Sequence, residues 1–422
     1  MRAAYEVVIF GATGFTGKFV ADYFATAVRE QRPALRWALV GRDRAKLQQM
    51  ADALAAEHRI AAPPILVASS DDATSVDAAV GQARVVLSTA GPFAKMGTPV
   101  VDACVRLGVH YVDINGETGW HRSIIDRYDA AARQKGVVLV PSCGFDSIPS
   151  DLGAAWVAGA LASKFGVPAR RVSCYVALRG NFSGGTVSSG IMSEETHGTT
   201  LSDPFLLGGK RPCCSTPRAE DADVQTAAFD EMVGSWTAPF GMATINTRIV
   251  RRSVGLLEEA QPGRAAAAAF ARDFGYIERA LAPAEAVAVK MARSMSVPAA
   301  KRRQLVEQGR LPKPGNGPTA EQRAKAWFRF LFVAEAADAS KKVVGSVSGG
   351  DPGYVETAKM VAEAAVMLAT TPLAELSPLA ARGGLLTPTT AFGARLRERL
   401  HDTGILFEQL DGLPPMAPAS KL

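Results

Sequence analysis

Val7, Val8, Ile9 and Phe10 form an unbroken apolar run, the pattern of a parallel strand buried on both faces. Phe19, Val20, Tyr23, Phe24 and Ala27 then recur at helical spacing, so a helix packs back on that strand. The alternation continues through "ILVA" (Ile65 to Ala68), "RVVLSTAGPF", a helix carrying Val100, Val101, Cys104 and Val105, the strand "VHYVDI", a helix with Ile124, Ile125 and Tyr128, and the strand "VVLVP". It predicts an α/β fold with a Rossmann doubly wound parallel sheet.

From about Val172 the pattern changes. "ATINTRIV" alternates at period two and reads as a strand, and "AWFRFLFVAEA" with "KKVVGSVSG" reads as a hairpin around Asp338 to Ser340, so a second, mixed α/β domain is expected. Phe270, Phe274, Ile277 and Leu281 fall on one helical face, predicting a core-facing helix within 264–293; lying on a membrane surface is the alternative. "LPKPGNGPT" reads as a loop. A helix starting near Tyr354 is expected to return to the first domain. The resulting division is a Rossmann domain over 1–150, a mixed-sheet substrate and dimerisation domain over 151–352, and 353–422 as the returning helix with a short strand and tail.

The turn "GATGFTG" adds chemistry. Gly11 permits the bend, Gly14 lets a phosphate approach the main chain and Gly17 lets helix and sheet pack closely, with Thr13, Phe15 and Thr16 between them. Free N–H groups at a helix start favour an anion. At the end of the second strand, where an acidic residue would hold a ribose hydroxyl, stands Arg42, with Lys46 following. A cation there suits a 2′-phosphate, so NADP is expected, with NAD as the alternative.

Composition narrows the classes. Lys and Arg number 47 against 41 Asp and Glu, an excess too small and too dispersed for a nucleic-acid surface. Cys104, Cys143, Cys174, Cys213 and Cys214 are odd in number and lack C-x-x-C spacing, which argues against a disulfide framework or a metal site and for a reduced intracellular protein. Neither a signal peptide nor a bilayer-spanning run is evident, leaving at most peripheral membrane contact.

Ligands of open α/β sheets lie beyond the carboxyl ends of the strands. Ala90, Gly91 and Pro92 end one strand and are expected beside the cofactor. Ser142, Cys143, Gly144, Phe145 and Asp146 end another, and Ser150 is expected to cap the next helix; Asp146 either serves chemistry or bonds local N–H groups. Candidate proton donors are Asp113, Glu117 and Asp146 near strand ends, Lys95, and His197, whose ordinary pKa suits the task. His58 and His401 read as surface groups and His110 as a strand residue. No Tyr-x-x-x-Lys pair stands where short-chain dehydrogenases carry theirs.

The runs "GATGFTG", "GR" after the second strand, "STAGPF", "YVDINGE", "CGFDSIPSDLG", "GGT" at Gly184 to Thr186, "DPGYVETA" and "GGLLTPTTAFG" resemble, in order and over nearly the whole chain, the saccharopine dehydrogenase-like oxidoreductases, including the trans-acting enoyl reductases of polyketide-derived lipid pathways. The resemblance implies a Rossmann domain with an inserted mixed α/β domain and an NAD(P)-linked redox role. Animal members carry a strongly apolar middle segment that this chain lacks. The expected function is an NADP-dependent oxidoreductase reducing an enoyl or carbonyl group of a lipid-like or acyl-thioester substrate. Two alternatives stay open: saccharopine-type amino-acid chemistry, with Arg179, Arg248, Arg251 and Arg252 as strand-borne cations for carboxylates, and an NADP-binding protein without turnover.

Two expectations concern partners. The bulky residues of "AWFRFLFV" suggest a homodimer, with the domain's own core as the simpler explanation. Ser420, Lys421 and Leu422 match the tripeptide read by the peroxisomal import receptor, which predicts a peroxisome or glycosome in a eukaryotic cell and the cytoplasm otherwise.

Overall fold

The apolar run at Val7 becomes β1 (Tyr5–Phe10), and the helical spacing after it becomes α1 (Phe15–Tyr23). The same alternation yields β2 (Trp37–Gly41), α2 (Arg44–His58), β3 (Ile65–Val67), α3 (Ala73–Val80), β4 (Ala83–Ser88), α4 (Phe93–Leu107), β5 (His110–Asp113), α5 (Thr118–Lys135) and β6 (Val138–Val140). This computed structural model describes residues 3–209, 217–260 and 268–414, without the side chains of His197, Thr199 and Thr200. Cys213, Cys214, Arg264, Ser420, Lys421 and Leu422 lie outside the described residues.

The first sheet has the order β13-β6-β5-β4-β1-β2-β3 and is parallel throughout. The order of its neighbours reverses at β1 and β4, the crevice where doubly wound sheets bind ligands. Its last strand, β13 (Gly384–Leu385), comes from late in the chain. α10 (Val355–Thr370) packs against α1, β1, β4 and β5, so the chain returns to the first sheet near Tyr354. There the buried carboxylate of Glu363 accepts from Tyr23 and Arg399, joining α10 to α1 and to α11 (Pro388–Asp402).

The second sheet has the order β14-β12-β11-β7-β10-β9-β8. β7 (Ala169–Arg179) and β10 (Phe270–Ala282) are parallel neighbours. β11 (Trp327–Glu335) and β12 (Lys342–Gly349) form the expected hairpin, and β8 (Ala228–Asp230), β9 (Ser235–Ala238) and β14 (Leu406–Leu410) complete it. α6 (Ile148–Phe165) lies on its inner face. The approach is close: a Cβ on Gly153 would stand 2.4 Å from the Phe332 ring.

Two sequence expectations are corrected. "ATINTRIV" opens a helix, α8 (Ala243–Ala260), and not a strand; three of its arginines point inward, which disguised the helical period. The proposed 264–293 helix is β10 followed by α9 (Glu285–Met295). A register shift between Phe270 and Gly275 breaks the period-two pattern, and beyond it the buried series Tyr276, Glu278, Ala280 and Ala282 includes a carboxylate. No helix among the described residues is long and apolar enough to cross a membrane.

Candidate functional site

The glycine turn has the bend expected at Gly11 and the close packing expected at Gly17, and it leaves Gly14 exposed. Gly11 has φ +83°, and a Cβ there would stand 2.9 Å from the Ala90 nitrogen, so the turn after β1 touches the turn after β4. Thr89 fastens the two by donating its N–H to the Phe10 carbonyl at 2.8 Å. A Cβ on Gly17 would stand 2.4 Å from the Gly11 carbonyl oxygen, an impossible contact, whereas one on Gly14 would stand 3.1 Å from the same atom. Gly17 is therefore demanded by the fold, and Gly14 leaves an open approach. Gly14 is also the N-cap of α1 and offers no side chain to the first-turn N–H groups, which include those of Phe15 and Thr16. An uncapped helix start over exposed glycine fits a pyrophosphate.

Around this cradle, Thr13 and Gly41 are neighbours, with the Thr13 hydroxyl oxygen 3.7 Å from a Cβ position on Gly41. Arg42 follows, exposed and without an ion-pair partner among the described residues, while Lys46 lies 3.8 Å from Asp43. The cation at the end of β2 is thus free to meet a 2′-phosphate. Phe15 is held edge-on by Tyr354, centroids 4.8 Å apart, and by the 311–319 loop, whose Gly317 approaches so closely that a Cβ would stand 2.4 Å from the ring.

The ends of β5 and β6 are joined by a buried carboxylate network. Asp113 accepts from the N–H groups of Asn115 and Ser142, each at 2.8 Å, through one oxygen. Ser142 is a non-glycine residue at φ 63°, held there by its hydroxyl donating to the Asn115 carbonyl at 2.6 Å. Glu117 accepts from Phe93 N–H at 2.7 Å, Ala94 N–H at 2.8 Å and the Ser189 hydroxyl at 2.7 Å. It caps α4 just after the Gly91–Pro92 turn and ties it to α7 (Gly184–His197), the helix that follows β7. Burial pushes Asp113 up to about 7. Asp113 and Glu117, candidate donors by sequence, are committed to holding turns together.

Asp146 differs. Its carboxyl oxygens lie over Gly116 and Gly144, 2.9 Å and 3.0 Å from the Cβ positions those glycines lack, and among the described residues no side chain is recorded hydrogen-bonding to it. It is partly exposed, at the mouth between the β5 and β6 turns. Removal from water, followed by the nearby charges of Asp113 and Glu117, pushes it up to about 7. Beneath it Phe145 packs edge-on against Phe328 and Phe330, and the Met242 methyl lies over Gly116, 3.6 Å from its absent Cβ. A carboxylic acid that holds its proton near neutrality, open on one side and backed by apolar groups, is equipped as a general acid.

The remaining candidates separate from this place. Lys95 is exposed in the first turn of α4. His197 ends α7, and its side chain lies outside those described. The Cys143 thiol is fully buried and donates to the Val140 carbonyl at 3.2 Å, so it faces the core and not a ligand; Gly144 beside it is also buried. Ser150 does not cap its helix but donates to Glu278 at 2.7 Å. His58 is partly buried against Asp22, His110 accepts from Val138 N–H, and only His401 is exposed. Arg179 is exposed at the end of β7.

The other three arginines are helical and buried, against the expectation of strand-borne cations. Arg248 donates to the Asp203 and Leu201 carbonyls and pairs with Asp223. Arg251 donates to the Pro204, Asp221 and Tyr276 carbonyls, and Arg252 to those of Leu207 and Leu385. All three are buried with their guanidinium groups turned to main-chain carbonyls of the fold, so they are not presented to the carboxylates of an amino-acid substrate. Sequence reasoning missed Ser189, Tyr354 and Met242, whose parts depend on contacts across 72, 339 and 126 residues of chain and have no local signal.

Residues 7–140 match the saccharopine dehydrogenase NADP-binding domain. The chain is 32% identical to a putative trans-acting enoyl reductase of Mycobacterium tuberculosis, over 95% of this chain and 96% of that protein. It is 29% identical to a trans-acting enoyl reductase of Mycobacterium leprae, over 96% and 97% of the two. In fold it resembles the glutamate-forming saccharopine dehydrogenase of Saccharomyces cerevisiae, with a TM-score of 0.50 at 11% identity, over 96% of this chain and 99% of that one.

Proposed function

The chain belongs to the saccharopine dehydrogenase-like family that includes the trans-acting enoyl reductases, and from that premise we propose that it reduces a C=C bond conjugated to an acyl-thioester carbonyl, with Asp146 as proton donor. It is an NADP-dependent oxidoreductase. Gly11, Thr13, Gly14, Phe15, Thr16 and Gly17 would hold the pyrophosphate, Arg42 the 2′-phosphate, with Lys46 beside it, and Ala90, Gly91 and Pro92 would border the nicotinamide ribose. When bound there, NADPH supplies a hydride to the β-carbon of the conjugated bond.

The chain's own residues supply the rest. As the β-carbon gains its hydrogen, the π electrons move toward the α-carbon and carbonyl, and the α-carbon must take a proton. Asp146 lies over Gly116 and Gly144 with Phe145 and Met242 beside it, and that placement is the observation on which the reading rests; burial there pushes its pKa up to about 7, so it holds a proton near neutrality. Glu117 keeps the α4 start and α7 in register around the reacting groups through its three hydrogen bonds. The apolar backing of Phe145 and Met242 suits a lipid-like chain.

The test is NADPH consumption with a panel of enoyl thioesters, ketones and saccharopine. Oxidation with an enoyl thioester supports the proposal. Turnover of saccharopine alone, or binding of NADPH without turnover of any acceptor, would overturn it.

A further inference from the structure

A cavity of about 290 Å³ lies on the second sheet, away from the reaction mouth. Arg171 of β7 stands opposite Gly275 of β10, and residues two apart on a strand point to the same side, so Arg171, Gly275, Ile277 and Arg279 share one face. Val172, Cys174 and Tyr276 point to the other and join the core that holds α6 and Phe145. The cavity is therefore separated from Asp146 by the sheet itself. Its second wall is the segment 219–224. Arg251 fixes that wall to the strand by donating to the Asp221 carbonyl at 3.0 Å and the Tyr276 carbonyl at 3.1 Å, and Asp223 pairs with Arg248. The space is thus preformed, and its volume is at the small end of ligand pockets.

The charges that line it are not equally matched. Glu220 accepts from Arg170 at 3.1 Å and Arg171 at 2.7 Å and pairs with Arg218 at 2.6 Å. Asp223 is taken by Arg248. Arg279 has only Asp230, 3.7 Å away, and that carboxylate already accepts from the Tyr175 hydroxyl and the Met232 N–H, each at 3.0 Å. With its side chain 25% exposed, Arg279 donates no hydrogen bond among the described residues. We propose that this cavity binds a small oxyanion, a carboxylate or a phosphate ester carrying a short apolar body, with Arg279 as the residue that grips it. The guanidinium fork matches two oxygens of either group, and Ile277, Val224 and Ala222 supply apolar wall for the body. The site stands whether or not the proposed reduction does.

The test is calorimetric titration of the full chain saturated with NADP, so that the cofactor cradle does not compete for the probes, butyrate and phenyl phosphate. Wild type is expected to bind at least one of them with one-to-one stoichiometry. Tighter binding of butyrate identifies a carboxylate ligand, and tighter binding of phenyl phosphate a phosphate ester. Arg279→Gln removes the charge and should weaken the bound probe by about tenfold or more, with NADP affinity unchanged. Ala222→Trp, at an exposed position of the wall, should fill the cavity and lose binding without lowering the melting temperature. No saturable binding of either probe to wild type, or binding that either variant leaves unchanged, would overturn the site.

Discussion

Glu278 and Asp146 are both carboxyls pushed up to about 7 by burial, and they lie in opposite surroundings. Glu278 accepts from Ser150 at 2.7 Å, Asn246 at 2.9 Å and Tyr276 at 3.2 Å, so the protein fills its hydrogen-bonding shell. Asp146 has glycines where side chains would have bonded it, and one side open. The arginines divide likewise: Arg248, Arg251 and Arg252 are buried and donate to carbonyls within the fold, while Arg42 stands exposed without an ion-pair partner among the described residues. A perturbed or buried charge marks a functional site only when its partners are missing. When they are all present, the same chemistry is scaffolding.

The contrast can be broken most severely at Asp146. Asp146→Asn keeps the shape and removes the proton, and the rate of enoyl-thioester reduction should fall by about 10² to 10⁴ with the melting temperature little changed. A normal rate in stopped-flow NADPH oxidation would remove Asp146 from the chemistry. Glu278→Ala should show the reverse. Stripping three buried donors of their acceptor should cost on the order of 3 kcal/mol in denaturant unfolding, while turnover per folded molecule persists; loss of turnover at full stability would make Glu278 functional and erase the distinction.

Glu278 also predicts a pH signature. Its folded-state pKa, about 7, lies above the ordinary value of 4.5, so the stability from its neutral form is complete below about 4.5 and is lost as pH rises through about 7. Glu278→Gln removes this titration, and its stability should fall less steeply over that window than wild type's. A parallel decline in the two proteins would show that Glu278 does not carry the effect. At Arg42 the effect is smaller: Arg42→Ala should weaken NADPH binding by about tenfold and leave NADH nearly unaffected, and an equal loss for both cofactors in a titration would make Arg42 structural.

What could be read from the sequence follows the same division. The first sheet was legible because its central strands carry buried apolar runs such as Val7–Phe10 and Val85–Leu87, and because only glycine fits the close approaches at Gly11 and Gly17. The hairpin of β11 and β12 was legible from its period-two pattern and polar turn. α8 and β10 were misread because the fold buries Arg248, Arg251, Arg252 and Glu278, and a buried charge inverts the pattern from which helix and strand periods are read. At the site, Asp146 and the cofactor cradle were visible as local motifs. The commitment of Asp113 and Glu117 to the turns, the core-facing thiol of Cys143 and the meeting of Met242 with Asp146 were not, since each depends on residues brought together by the fold.

The most direct measurement is the pH dependence of single-turnover NADPH oxidation by an enoyl thioester, in wild type and in Asp146→Asn. Wild type requires protonated Asp146, so its rate should be level at lower pH and fall as pH rises through about 7. The variant should be slow and lack that limb. A falling limb near pH 7 that survives in Asp146→Asn would assign the proton to another group and contradict the account.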